Sequence, residues 1–138
     1  VTHVNGYICE CNTAYAGKNI SRKTTESHWQ NMEAHGWIST FGKDKVDIMD
    51  GEADEEIAID DGFKIKKNYV GTHMKNYDSM LVLARFKGHG AGGFGGALKQ
   101  LSIGCASAFG KKTVYIKPLI SSENSAGSSI AMPPISRA

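Results

Sequence analysis

The sequence predicts an α/β fold: a mixed, mainly parallel sheet with flanking helices and one inserted β-hairpin. Three observations predict it. Strand-sized apolar segments alternate with helix-patterned ones along the first hundred or so of its 138 residues. Met80-Leu81-Val82-Leu83-Ala84 is a continuous apolar run, as expected of a strand covered on both faces. Between these regions, Ile57 and Ile59, then Phe63 and Ile65, alternate with polar residues on either side of Asp61-Gly62, which is a hairpin pattern.

Gly6 to Cys11 reads as a short strand, closed by the turn formers Asn12-Thr13. Ser21 to His35 reads as a helix, with Ser21 or Thr24 as its N-cap and Gly36 where a left-handed C-terminal residue belongs. His28, Met32 and His35 fall on one face of that helix. Val46 to Met49 is a second strand, ended by Asp50-Gly51. Thr72 to Tyr77 forms a helical turn. After the Met80–Ala84 strand comes a glycine-rich loop, then a helix from Ala97 to Ile103 with Leu98 and Leu101 inward. Val114 to Ile116 is a further strand candidate. Residues 1–120 are read as a single domain, a part of a larger one, and 121–138 as an extended Ser/Pro/Gly-rich tail.

Composition narrows the function classes. Hydrophobic residues make up 41% and charged residues 22%, ordinary for a globular protein. No apolar run approaches the roughly 18 residues of a membrane span, and no basic-then-apolar leader opens the chain. The chain begins with Val1 and is read as a fragment. Three cysteines, Cys9, Cys11 and Cys105, do not make a disulfide framework, which points to a reducing, cytoplasmic setting. Net charge is only +2 and aromatics do not interleave with basic residues, so neither nucleic acid nor membrane is an expected partner.

Charge is unevenly spread. Acids crowd the segment from Asp44 to Asp61. From Ser79 to Ser122 there is none, while Arg85, Lys87, Lys99, Lys111, Lys112 and Lys117 are basic. Within that acid-free stretch, six of the nine residues from Gly88 to Gly96 are glycine. A strand, a loop of small residues and a helix are how α/β proteins present a ligand, beyond the carboxyl ends of the strands. Glycine permits positive φ and close approach of a ligand to the amides, and amides at a helix start favour negative charge. The expected ligand is an anionic small molecule or cofactor, bound by Lys87, Gly88, Gly92, Gly93, Gly95 and Gly96. Gly90, Gly92 and Gly95 satisfy G-x-G-x-x-G, but a dinucleotide site also needs an acid about 20 residues on, and none occurs before Glu123. The phosphate-loop pattern is absent.

His89, inside the loop, and Lys99, ten residues on, are the candidate catalytic pair, for proton transfer or metal contact and for anion pairing. Asn12 and Thr13, at a strand's carboxyl end, are candidate ligand-binding residues, with turn closure as the other reading of Asn12. Cys105, among small residues, is either a buried inert thiol or a metal ligand. Cys9 and Cys11, two apart on a strand, face one side but lack the second pair of a structural zinc site.

Phe86-Lys87-Gly88-His89, Gly93-Phe94-Gly95-Gly96-Ala97-Leu98-Lys99, Gly104-Cys105-Ala106-Ser107 and Gly110-Lys111 together resemble the signature of domain of unknown function 362, whose members are often named iron–sulfur centre proteins. Glu10-Cys11-Asn12-Thr13-Ala14-Tyr15-Ala16-Gly17 is similar to the family's D-T-N-T-x-Y-x-G, with Glu10 in place of its first Asp. His28, His35-Gly36 and Asp50-Gly51 fall in matching order. The resemblance implies a redox-associated protein whose iron–sulfur cluster sits on a ferredoxin-like segment or partner, because this chain lacks the cysteines for it. It also implies an N-terminal strand and helix that this chain does not contain. A looser similarity, His89 followed by Gly93-Phe94-Gly95-Gly96 and then Lys99, is to the nickel-pincer lactate racemases. It implies a metal-cofactor-dependent isomerase with His89 and Lys99 in proton transfer and cofactor attachment. A non-enzymatic scaffold for a cluster-bearing segment is the third reading.

Overall fold

A computed structural model describes residues 5–16, 21–63, 65–89 and 93–114. It is an α/β arrangement of helices and small sheets. The parallel part consists of two strands, β1 (Ile8–Glu10) and β2 (Val46–Ile48), in register Ile8↔Val46, Cys9↔Asp47 and Glu10↔Ile48. Parallel strands need a crossover, which here is α1 (Thr25–Ala34) and the short α2 (Trp37–Phe41).

Local chemistry accounts for α1. Thr24 is extended and caps it in a reciprocal box with Ser27, so of the two expected caps Thr24 is the one used. His35 ends the helix, and Gly36 follows at φ 76°, the left-handed geometry that glycine takes without penalty. His28 and Met32, one turn apart, turn inward, while His35 is exposed. The core lies where this face meets the strands. Met32 is 1% exposed, Ile48 2% and His28 0%, with Val46, Met49, Val70 and Cys11 around them.

The expected hairpin forms from β3 (Asp54–Ala58) and β4 (Lys67–Gly71), antiparallel with Ala58 opposite Lys67. The turn keeps Asp61-Gly62 near its apex, where Gly62 N donates to Ile59 O. The far end of β4 runs into the core. A side chain on Gly71 would overlap the carbonyl of Met49, so only glycine permits this approach. On the other side of β4, Ala106 bridges Val70 and Ser107 N donates to Tyr69 O, tying residues 105–107 to the hairpin.

Elsewhere the structure departs from expectation. Met80–Ala84 is not a strand: the stretch is irregular, and Leu81 and Leu83 are 82% and 85% exposed. An apolar run becomes a central strand only with neighbours on both sides, and among the described residues it has none. The glycine-rich stretch is a miniature antiparallel ribbon, β5 (Gly88–His89) against β6 (Gly93–Phe94). After it, α3 (Ala97–Lys99) widens into a π turn, Gln100–Gly104. Leu98 and Leu101 are exposed, not inward, because nothing described packs on this helix from outside.

Val114 lies in a helix, described over 108–114 and here called α4, and not in a strand. Ser107 caps this helix through Gly110 N → Ser107 Oγ at 3.0 Å, and that cap overrides the β-branched Thr113-Val114. Tyr115, Ile116 and the tail from Ser121 to Ala138 lie outside the described residues. Among the described residues no helix is long and apolar enough to cross a membrane.

Candidate functional site

The carboxyl ends of β1 and β2 carry Cys11-Asn12-Thr13 and Met49-Asp50-Gly51, the location where open α/β sheets place ligands. Asn12 is the hub of a buried polar network there. Its backbone N donates to Asp50 Oδ1 (2.8 Å), and its carbonyl accepts from Lys111 Nζ (2.8 Å). Its side-chain Nδ2 donates to Thr25 Oγ1 (3.1 Å), and its Oδ1 lies 3.0 Å from His28 Nδ1. Every hydrogen-bonding group of Asn12 thus has a protein partner.

His28, wholly buried, spans the network: its Nε2 lies 2.9 Å from Glu10 Oε2, which also pairs with Arg22 at 3.0 Å. Burial pushes the Glu10 carboxyl up, but the His28 hydrogen bond and the Arg22 charge outweigh it and hold it below the usual carboxylate range. On the other side, Asp50 Oδ2 accepts from Ala108 N (2.8 Å) at the start of α4. A carboxylate there satisfies an orphan amide and meets the positive end of the helix. Lys111, on the same helix, points inward and also donates to the carbonyls of Ala106 and Gly104. Burial lowers its ammonium pKa, against the opposing pull of Cys11 and Asp50.

Two of the three thiols, Cys11 and Cys105, lie in this region. Cys11 Sγ donates to Cys105 O (3.4 Å), and Cys105 Sγ approaches Met80 Sδ at 3.9 Å. Burial, reinforced by Asp50, pushes the Cys11 thiol up to about 12, and burial raises Cys105 and Cys9 too. All three are free thiols, and burial disfavours the thiolate form of each.

The glycine ribbon is built differently. Gly95 N donates to Lys87 O (3.0 Å), and the Lys87 side chain lies along buried Gly95. Gly93 and Gly96 take positive φ, 68° and 81°, which allows so tight a return. Gly88 and Lys87 are exposed, His89 and Lys99 part-exposed, and Gly92 lies outside the described residues.

The structure therefore brings Asn12 and the Cys105 segment together, through Lys111 and Cys11, and Lys87 to Gly95. Thr13, whose N donates to Arg22 O (2.8 Å), borders the network. Glu10, His28, Asp50 and Lys111 form that network without having been singled out as site residues in the sequence. The available signals were the alternation of Glu10 with Asn12 along one strand and the Asp50-Gly51 strand end. Their convergence is tertiary.

The family model for Domain of unknown function (DUF362) matches residues 3–121. The chain belongs to the DUF362 family. The match spans both the polar network and the glycine ribbon. No curated protein and no solved structure matches the chain.

An iron–sulfur cluster takes thiolate ligands, usually four. Here three cysteines are present, and the two buried ones are held as thiols by desolvation and bonded within the protein. Among the described residues of this DUF362 chain, no group of three or more His, Cys, Asp or Glu is arranged to hold a metal ion. These residues do not fit a cluster.

Proposed function

We propose that this DUF362 chain is the ligand-binding module of an iron–sulfur-associated, redox-linked protein, and that the ribbon from Lys87 to Lys99 receives an anionic small molecule or cofactor. The observation that carries the proposal is the construction of the ribbon. Gly88–His89 folds back on Gly93–Phe94 with Lys87 laid along Gly95, so glycine backbone and a lysine share one surface. No acid occurs from Ser79 to Ser122 to oppose an anion.

In this reading Gly92, Gly93 and Gly96 donate backbone amides, while the Gly95 amide, bonded to Lys87 O, holds the return closed. Lys87 and Lys99 pair with anionic oxygens, and His89 exchanges a proton with the ligand. Asn12 and Thr13 form the strand-end side of the site, and the Lys111 network holds the Cys105 segment that follows the ribbon's helix. The same reading makes β1 and β2 the start of a mainly parallel sheet. A cluster is carried on a ferredoxin-like segment or partner.

Calorimetric titration with pyrophosphate tests the ligand class. Wild-type protein should bind it, and Lys87→Ala and Lys99→Ala should each weaken binding by about tenfold, the loss of one charge-assisted contact. Equal affinity in all three proteins would remove the ribbon from consideration.

A further inference from the structure

A second cluster of polar and aromatic groups lies on the side of the β1–β2 pair away from the core. Parallel pairing sets Cys9 beside Asp47, and strand alternation turns Asp47 away from buried Val46 and Ile48. The 3₁₀ segment Thr72–Asn76 and Tyr77 fold over this side. Tyr77 donates its hydroxyl to Asp47 Oδ2 at 2.7 Å, and His73 Nδ1 lies 2.9 Å from Asp47 Oδ1. One carboxylate therefore fixes both rings. The outer nitrogen of His73, Nε2, lies 3.6 Å from Glu52 Oε2. The Tyr77 ring meets Tyr7 edge-on, with centroids 5.7 Å apart.

These groups enclose a depression of about 320 Å³, whose walls include Tyr7, Asp44, Asp47, His73, Asn76 and Tyr77. None of them belongs to the glycine ribbon or to the Asn12 network. The charged groups around it are Asp44 and Asp47, Glu52 beside His73, Lys45 over Tyr7, and His73 itself when protonated. Carboxylates prevail, so an anion is repelled. No set of three ligands suits a metal ion among the described residues. An aromatic ring face attracts an ammonium group, and the protein displays that preference at this place: Lys45 Nζ stands 4.8 Å from the Tyr7 ring centroid.

We infer that this depression is a second binding site, for a small organic ammonium ion held against the contacting Tyr7–Tyr77 ring pair by the Asp44 and Asp47 carboxylates. His73 competes with that ligand for the same carboxylate. The Asp47 hydrogen bond raises the imidazole pKa, so at low pH an imidazolium already occupies the Asp47 charge. Binding therefore strengthens as pH rises through the titration of His73.

The test is a titration with choline, and separately with its uncharged carbon isostere dimethylbutanol, followed through the ring protons of Tyr7, Tyr77 and His73. Choline should shift all three rings saturably and bind more tightly above the His73 pKa than below it. The isostere should bind at least about tenfold more weakly, the value of one desolvated cation–ring contact. Asp44→Asn, at an exposed position, and Tyr7→Leu should each weaken choline binding several-fold. The inference is overturned if choline gives no saturable shift, if the isostere binds equally well, or if both variants bind as wild type does.

Discussion

The Nζ of Lys111 lies 2.8 Å from the carbonyl oxygen of Asn12, a bond between residues 99 positions apart. It joins the last described helix to the end of the first strand, and the same ammonium holds the carbonyls of Gly104 and Ala106. A buried ammonium is tolerated only when fully bonded. Lys111→Met keeps the stem and removes the donor, leaving those carbonyls without their partner. It should cost about 2–4 kcal/mol of unfolding free energy, measured by urea denaturation. Lys112→Met, at an exposed neighbouring position, should change stability by less than about 0.5 kcal/mol.

Glycine at Gly110 is required by contact, not by backbone angle. A side chain there would overlap the carbonyl of Tyr69 on β4. Gly110→Ala should therefore destabilise by about 1–3 kcal/mol through overpacking, with amide hydrogen exchange rising first in β4 and in residues 105–107. Unchanged protection in β4 would show that the helix does not pack there.

Much of this framework is legible in the sequence, because local rules decide it. Thr24 and Gly36 mark the ends of the first helix through cap chemistry alone, and the alternation about Asp61-Gly62 marks the hairpin. Met80–Ala84 shows where such rules stop. Its composition suits a central strand, but a strand exists only with hydrogen-bonded neighbours, and the run stays irregular and exposed. Val114 errs the other way, since Ser107 and Asp50 supply a helix start that outweighs β-branched propensity. The family resemblance puts Glu10, Asn12, His28 and Asp50 in order, but that they form one network is not legible, because each has an ordinary local reading and only the crossover brings them together. His28 reads as a packed helix face, and it is packed, but against a carboxylate and an amide.

The Cys11 thiol makes stability fall at alkaline pH. Its folded pKa is raised from 9.0 to about 12 by burial, with Asp50 adding to the effect. A raised pKa contributes stability that is complete below the unfolded value and is lost as pH rises through the folded one. Stability should decline between about pH 9 and 12, by up to roughly 4 kcal/mol from this group. Lys111, whose pKa is lowered, opposes part of that decline. Cys11→Ala should flatten the alkaline limb of a melting-temperature profile, and an unchanged limb would assign it to other groups.

Glu10 acts at the other end of the scale. Its folded pKa is lowered, because the His28 bond and the Arg22 charge outweigh burial. Its contribution is present above the unfolded carboxylate value and is lost as pH falls through the folded one. Glu10→Gln should remove that acid-side dependence while leaving the neutral-pH fold intact by circular dichroism.

The central claim is that the glycine ribbon takes an anion. The most direct measurement is a pyrophosphate titration followed by the backbone amide resonances of Gly88, Gly93 and Gly96. Saturable shifts concentrated on these amides, and lost when Lys87 and Lys99 are both alanine, are the predicted result. Shifts that are absent, that never saturate, or that persist unchanged in the double variant would contradict it.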